Sequence, residues 1–177
     1  MRSRDGGIDR IPLPDDVSGA LWLCGKHHIA EDVDAVVERT GATTVVCLTR
    51  RDELAARYQR YVTWLDERTP GTLGGDPSPH GQRCGAIWFP IHDLSAPDLD
   101  VYRPFLDDLA WRLRHGEVLV VHCAAGIGRA GTTAVAILLL LGVDVETALT
   151  TVRANRPMAG PEVGSQLDLI TELADAL

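Results

Sequence analysis

This sequence has fewer basic than acidic residues and no long apolar run, and each shortage argues against a class of protein. With 17 basic against 25 acidic residues the net charge is −8, whereas nucleic-acid binding requires a basic stripe, so no nucleic-acid partner is expected. The longest apolar run, residues 134–141, is too short to cross a bilayer, so no membrane insertion is expected. Residues 1–10 contain no apolar core and do not form a signal peptide, which predicts a cytoplasmic protein.

The sequence also lacks paired cysteines. Cys24, Cys47, Cys84 and Cys123 contain no CxxC spacing, which argues against a zinc site and against a secreted disulfide framework. No metal and no cofactor are expected. A length of 177 residues with 45% hydrophobic content predicts one packed domain.

Apolar strands alternate with helical patterns along the chain. Strands are predicted near 20–24, 43–48, 86–91 and 117–122, and helices near 31–39, 51–67, 98–115, 129–141, 144–155 and 163–176. This order predicts an α/β single domain, whose mostly parallel central sheet of about four to five strands has helices on both faces. The segment 69–85, rich in Gly and Pro, is predicted to be an irregular surface loop that shapes the rim of a site.

The most informative segment joins the last predicted strand to the helix 129–141. His122 and Cys123 leave the strand, and Arg129 begins the helix after a loop that contains Gly126 and Gly128. Helix N-termini bind phosphate through unpaired N–H groups, and glycines let successive N–H groups converge on one anion. An arginine fork holds two phosphate oxygens. The segment therefore predicts a phosphate cradle.

The nucleophile of this cradle would be Cys123. Partial positive charge at a helix N-terminus favours the thiolate, which is the reactive form of cysteine. A buried apolar cysteine in an ordinary strand–helix turn is the alternative, but the strand, the glycines, the helix and His122 together favour the nucleophile. The residues expected to bind phosphate are Ala124, Ala125, Gly126, Ile127, Gly128 and Arg129.

The segment from His122 to Arg129 resembles the signature of the cysteine-dependent protein tyrosine phosphatase superfamily. The chain looks most similar to compact dual-specificity members, the type of the cyclin-dependent-kinase-associated phosphatase and its bacterial relatives. The resemblance implies hydrolysis of phosphotyrosine, and also of phosphoserine or phosphothreonine, through a cysteinyl-phosphate intermediate and without a metal. It assigns residues 15–177 to the phosphatase domain and leaves residues 1–14 as a flexible tail.

One position departs from this pattern. Most members carry Ser or Thr after the arginine, where the hydroxyl stabilises the leaving thiolate, whereas this chain has Ala130. The departure concerns hydrolysis of the intermediate rather than phosphate binding. Thr132 either offers a nearby hydroxyl or bonds its own helix backbone.

The resemblance further implies an acidic residue after an apolar strand. Asp93 ends the run Phe-Pro-Ile-His-Asp and lies 30 positions before Cys123. Because a phenolate is a poor leaving group, a proton donor accelerates its departure. The alternatives are Asp98 and Asp100, of which Asp98 is more typical of a helix cap, and His92.

The segment 153–166 resembles the final loop of the family, in which a glutamine positions the hydrolytic water. Gln166 is the candidate, with Glu162 where many members have a second glutamine, although both fit equally well in the first turn of an ordinary helix. Arg153 and Arg156 are expected to stabilise the end of the helix before this loop, and contact with substrate is the alternative.

Several relatives keep a second cysteine that captures the oxidised catalytic sulfur. Cys47 is the candidate redox partner, through a reversible Cys47–Cys123 disulfide, and a buried apolar cysteine is the alternative.

Two other functions remain open. A phosphoinositide or small-molecule phosphatase is one, although lipid-directed relatives carry basic residues where this loop has Ala124, Ala125 and Ile127. A catalytically weak phosphoprotein-binding module is the other, and only Ala130 supports it. The expected partners are a phosphorylated protein or peptide and phosphate-like oxyanions in the site.

Overall fold

The computed structural model describes residues 7–69 and 84–177. Within these residues the strands are β1 Ile8–Ile11, β2 Ala20–Gly25, β3 Thr44–Cys47, β4 Gly85–Trp88 and β5 Val118–Cys123. They form one sheet in the order β1-β2-β5-β3-β4, and every neighbouring pair is parallel except β1 with β2. The predicted α/β class with a mostly parallel sheet is confirmed.

Helices cover both faces of this sheet. They are α1 Lys26–Ile29, α2 Val33–Thr40, α3 Arg51–Ala55, α4 Gln59–Arg68, α5 Leu99–Arg114, α6 Gly128–Leu140, α7 Val145–Asn155 and α8 Gly164–Asp175. Because side chains alternate along a strand, β5 serves two cores. Leu119 and Val121 pack with residues of α5 to α8, whereas Val120 packs with residues of α2 to α4. None of the described helices has the length and apolar character needed to span a bilayer.

The carboxyl ends of β2, β3, β4 and β5 lie at the same edge of the sheet, because these strands are parallel. Gly25 is in register with Cys123, and Cys47 is in register with His122. The loops that follow these strands are therefore brought together, as expected for a ligand site in this type of fold.

The helix predicted over 51–67 is divided into α3 and α4. The break falls before Tyr58, which has φ −119° and ψ 47°, and no Gly or Pro in the sequence indicates it. The two tyrosines of this region hydrogen-bond distant residues: Tyr58 to His27 and Tyr61 to His122. Tertiary contacts of this kind are not visible in local sequence.

The tail predicted over residues 1–14 is partly folded. Ile8–Ile11 form β1 and pair with β2, and Ile11 is completely buried. This strand is short and carries two charged residues, so its sequence resembles a solvated segment. Residues 1–6, and residues 70–83 of the predicted surface loop, lie outside the described residues.

Candidate active site

The phosphate loop begins where β5 ends. Cys123 is 3% exposed, and the chain passes through residues 124–127 into α6. Gly126 has φ +71°, and a Cβ there would lie 2.3 Å from the carbonyl oxygen of Cys24. Only glycine fits this conformation and this close approach. The chain therefore turns tightly between Cys123 and the N-terminus of α6, where helices bind anions.

Arg156 holds the loop from behind. Its buried side chain donates from Nε to the carbonyl oxygen of Gly126 at 2.6 Å and from Nη2 to that of Ala125 at 2.8 Å. Nη1 pairs with Asp9 of β1 at 2.7 Å. In a planar trans peptide the carbonyl and the N–H point in opposite directions. Because Arg156 binds the carbonyl oxygens of Ala125 and Gly126, the N–H groups of the same two peptides point the other way, toward the expected anion site. Arg156 contacts the phosphate loop and does not merely stabilise a helix end.

We expect Arg156→Lys to weaken oxyanion binding. Lysine keeps the charge but cannot hold both carbonyl oxygens, and a lost charge-assisted hydrogen bond costs about 1.5–3 kcal/mol, or roughly tenfold to a hundredfold in affinity. Titration calorimetry with inorganic phosphate measures the effect. Arg153→Lys is the matched control, because Arg153 is exposed in the last turn of α7, directly before the C-cap residue Arg156. Equal affinities for the two variants would contradict this role.

Arg129 lies on the other side of the loop with its guanidinium already oriented. Nη1 donates to Glu53 Oε1 at 2.7 Å and to the carbonyl oxygen of Ile91 at 2.9 Å. Nη2 donates to Glu53 Oε2 at 2.8 Å and lies 3.1 Å from Asp93 Oδ1. The side chain is 1% exposed. The predicted phosphate ligand is thus fixed by a bidentate ion pair before substrate arrives.

Glu53 is a site residue that sequence reasoning missed. Burial alone would raise its pKa, but the hydrogen bonds from Arg129 and from the backbone N–H of Arg50 outweigh burial and lower the pKa below its ordinary value. The sequence gives only a weak indication of Glu53 as a site residue: it is acidic and lies in the first turn of the helix that follows β3, at the carboxyl edge of the sheet.

Asp93 lies beside the cradle. Its side chain is 67% exposed and contacts Arg129, so the predicted acid, the predicted phosphate ligand and the loop are adjacent. The alternatives are placed elsewhere: Asp98 is the N-cap of α5, Asp100 lies in its first turn, and His92 contacts Arg50 Nη1 at 3.2 Å. The geometry favours Asp93 over them.

His122 supports the strand beneath the nucleophile. Its ring is completely buried, and burial lowers its pKa to about 4, so it is neutral at pH 7. The Tyr61 hydroxyl and His122 Nε2 are hydrogen-bonded at 2.7 Å. His122 therefore orders the scaffold on the face of the sheet opposite to Cys123.

Cys47 shares the face of His122 rather than that of Cys123. Its side chain packs in the core beneath α2 and α4, whereas Cys123 belongs to the other core. Burial raises the pKa of Cys47 to about 12, which keeps its thiol protonated. A Cys47–Cys123 disulfide would need the strand ends to shift, and the redox role of Cys47 stays a prediction.

The position after Arg129 carries no hydroxyl, and Ala130 is completely buried. Thr132 Oγ1 is buried with no hydrogen-bond partner among the described residues, so the alternative in which it bonds its own helix backbone is wrong. Thr133 does so instead, donating to the carbonyl oxygen of Arg129 at 2.7 Å.

Gln166 and Glu162 have different surroundings. Gln166 is 1% exposed; its Oε1 accepts from the Glu162 backbone N–H at 2.8 Å, and its Nε2 donates to the carbonyl oxygen of Ser95 at 3.3 Å. Glu162 is exposed, and its carboxylate lies against Gly128: a Cβ on that glycine would be 1.9 Å from Glu162 Oε2. Gln166 therefore joins two site loops, while Glu162 faces the phosphate loop.

This arrangement can bind a tetrahedral oxyanion between backbone N–H groups and Arg129, with a thiol below it and a carboxyl group beside it.

A profile of the family described as "PTP-SAK: Swiss Army Knife protein, DSP-PTPase phosphatase domain" matches residues 17–167. The sequence is also 37% identical over 90 residues to human dual specificity protein phosphatase 22. That match covers 48% of this chain and 48% of the relative, so it spans about half the length of each.

Solved structures share the fold. The kinase associated phosphatase with its catalytic-site cysteine replaced by serine superposes with a TM-score of 0.75 at 20% identity, over 99% of this chain and 98% of that chain. Tk-PTP in its active form gives a TM-score of 0.66 at 23% identity, over 93% of this chain and 100% of that chain. By its sequence, this chain belongs to the PTP-SAK family of DSP-PTPase phosphatase domains.

Proposed function

We propose that this protein hydrolyses phosphotyrosine in protein substrates, and also phosphoserine and phosphothreonine, without a metal ion. The observation that carries the proposal is that Arg129, in the first turn of α6, contacts Asp93, while Cys123 lies at the start of the loop that leads into α6. One set of residues thus supplies the nucleophile, the anion ligand and the acid. A cytoplasmic location and a phosphorylated protein or peptide as partner belong to the same proposal.

In the first step the phosphate group binds the loop N–H groups and Arg129. The Cys123 thiolate attacks phosphorus, an S–P bond forms, and the P–O bond to the substrate breaks. Asp93 gives its proton to the leaving oxygen. Its proximity to Arg129 supports this role, because the carboxyl group lies at the edge of the cradle. The ion pair must open for the protonated acid to act, and the phosphate can take the N–H that is released.

In the second step water attacks the phosphorus and the Cys123 thiolate leaves. Gln166 contributes by fixing the Glu162 backbone beside Gly128. Since Ala130 offers no hydroxyl to the leaving sulfur, this step depends on the remaining groups of the site.

We expect Asp93→Asn to lower kcat about 10²–10⁴-fold for phosphotyrosine peptides, because the phenolate then leaves without a proton. An activated aryl phosphate, whose leaving group is already a weak base, should be affected much less. Steady-state rates on both substrates measure the difference. Asp100→Asn is the control, because Asp100 is exposed in α5 and contacts no residue of the cradle that the structure describes. An equal loss with both substrates would contradict the assignment.

The function itself is tested with a panel of tyrosine, serine and threonine phosphopeptides and inositol phosphates, with and without EDTA. We expect turnover of phosphopeptides that EDTA does not change. Turnover of inositol phosphates alone would support the small-molecule alternative. Binding of phosphopeptides without turnover would support the binding module.

A further inference from the structure

We propose that Glu162 is a catalytic residue of the second step: its carboxylate accepts a proton from the water that hydrolyses the cysteinyl phosphate. The inference rests on the proposed function, because it requires an intermediate on Cys123. It assigns a reaction step to a residue that lies outside the segment from Cys123 to Arg129.

The position of the carboxylate is the first observation. Glu162 Oε2 lies only 1.9 Å from the position that a Cβ on Gly128 would occupy. Gly128 directly precedes Arg129 and begins α6, so it belongs to the backbone that would surround the phosphate. A glycine at this position is what allows the carboxylate to approach the loop so closely.

The charge of this group is the second observation. A carboxylate beside a bound phosphate dianion is repelled unless a proton donor lies between them. Water can donate one hydrogen to the carboxylate while its oxygen faces phosphorus, and that arrangement is the geometry of general-base attack. The solvent exposure of Glu162 allows water to reach it.

The neighbouring glutamine cannot take this role in the structure. Gln166 Nε2 also lies 3.3 Å from the ideal Cβ position on Gly128, but an amide cannot accept a proton from water at neutral pH. Its amide oxygen is bonded to the Glu162 N–H and its amide nitrogen to the carbonyl oxygen of Ser95. These two bonds instead fix the backbone of Glu162. The remaining rival is Asp93, which becomes a carboxylate once it has protonated the leaving group and lies 3.1 Å from Arg129 Nη2.

The step balances without a further reactant. A bond forms between the water oxygen and phosphorus, the P–S bond breaks, and its electron pair returns to Cys123 as the thiolate. The proton lost by water passes to Glu162 and then to solvent. Because Ala130 leaves that thiolate without a hydroxyl donor, breakdown of the intermediate is the step that most needs a base.

The test is Glu162→Gln, which keeps the size and hydrogen-bonding capacity of the side chain but removes its basicity. With an activated aryl phosphate in rapid-quench experiments, we expect a burst of about one aryl alcohol per enzyme at the wild-type rate. The later steady state should fall about 10²-fold. Mass spectrometry after acid quench should find phosphate on Cys123. Decay of the isolated phosphoenzyme measures the second step directly.

Matched variants separate this role from structural effects. Glu172→Gln, on an exposed position of α8, should behave as wild type. Glu162→Asp keeps a carboxylate and should recover part of the decay rate, whereas Asp93→Asn should slow formation of the phosphoenzyme from phosphotyrosine more than its decay.

The two proposals fail in distinguishable ways. If the Glu162→Gln phosphoenzyme decays at the wild-type rate, or if formation and decay slow equally, the inference is overturned and the proposed function stands. If wild-type protein and all variants form no phosphoenzyme and release no phosphate, the proposed function fails as well.

Discussion

Cys123→Ser is expected to abolish turnover while oxyanion binding is largely retained. A serine hydroxyl is not ionised at neutral pH, so the variant lacks the nucleophile, and loss of a nucleophile in other enzymes costs about 10⁶-fold in kcat. The groups that bind the anion, namely the loop N–H groups and Arg129, are unchanged. Hydrolysis of an aryl phosphate and calorimetric titration with inorganic phosphate measure the two properties separately.

Cys84→Ser is the control for this prediction, because Cys84 lies at the start of β4, at the opposite end of the strand from the site. It should retain activity and phosphate affinity. A Cys123→Ser protein with substantial turnover would exclude the cysteinyl-phosphate mechanism. Loss of phosphate binding in the same variant would show that the substitution disturbs the loop, because a thiolate repels a phosphate dianion and cannot itself hold it.

The second largest effect is expected for Arg129→Met, which should damage both activity and stability. Removing one preorganised donor to a transition-state oxyanion costs about 10²–10³ in kcat, and Arg129 is expected to supply such a donor. The substitution also leaves the largely buried Glu53 carboxylate without its cation. Breaking a buried ion pair in this way costs about 3–5 kcal/mol of the free energy of unfolding.

The double variant Glu53→Leu/Arg129→Met separates these effects. Because it removes both charges together, it should recover most of the stability that the single variant loses, while activity stays absent. Urea unfolding and aryl phosphate hydrolysis measure the two properties. Arg103→Met breaks an exposed pair with Asp107 and should cost at most about 1 kcal/mol. Equal instability of the single and double variants would contradict the ion-pair explanation.

The sign of the pH dependence follows from the same pair. The pKa of Glu53 is lowered in the folded protein, so the stability that it contributes is complete above the ordinary range of a carboxyl group. It is lost as the pH falls through the lowered folded-state pKa. The Glu53→Leu/Arg129→Met protein should lack this part of the acid sensitivity.

The part of the site that sequence predicts best is continuous in the chain. Cys123, the loop and Arg129 occupy one strand–loop–helix unit, whose conformation depends on local apolar patterns and on glycines at fixed spacing. Leu54, Tyr58, Tyr61 and Leu65 recur at helical spacing in the sequence and all four are buried, because such spacing records which face of a helix is apolar. Asp93 was reached from a family resemblance together with its place at the carboxyl end of a predicted strand.

The residues that sequence reasoning missed act across long separations. Glu53 pairs with Arg129 over 76 positions, and Asp9 pairs with Arg156 over 147. No local pattern records such a partner, since each side chain alone resembles an ordinary surface charge. The different surroundings of Glu162 and Gln166 likewise became visible only once α8 was placed against α6.

The amino-acid sequence by itself determined the alternation of strands and helices and the chemistry of one phosphate loop, because both depend on neighbours within a few turns of chain. The tertiary structure decided which charges orient that loop, which carboxylate faces it and which cysteine lies on the opposite side of the sheet. Strand order and register bring these groups together, and both depend on packing over the whole domain.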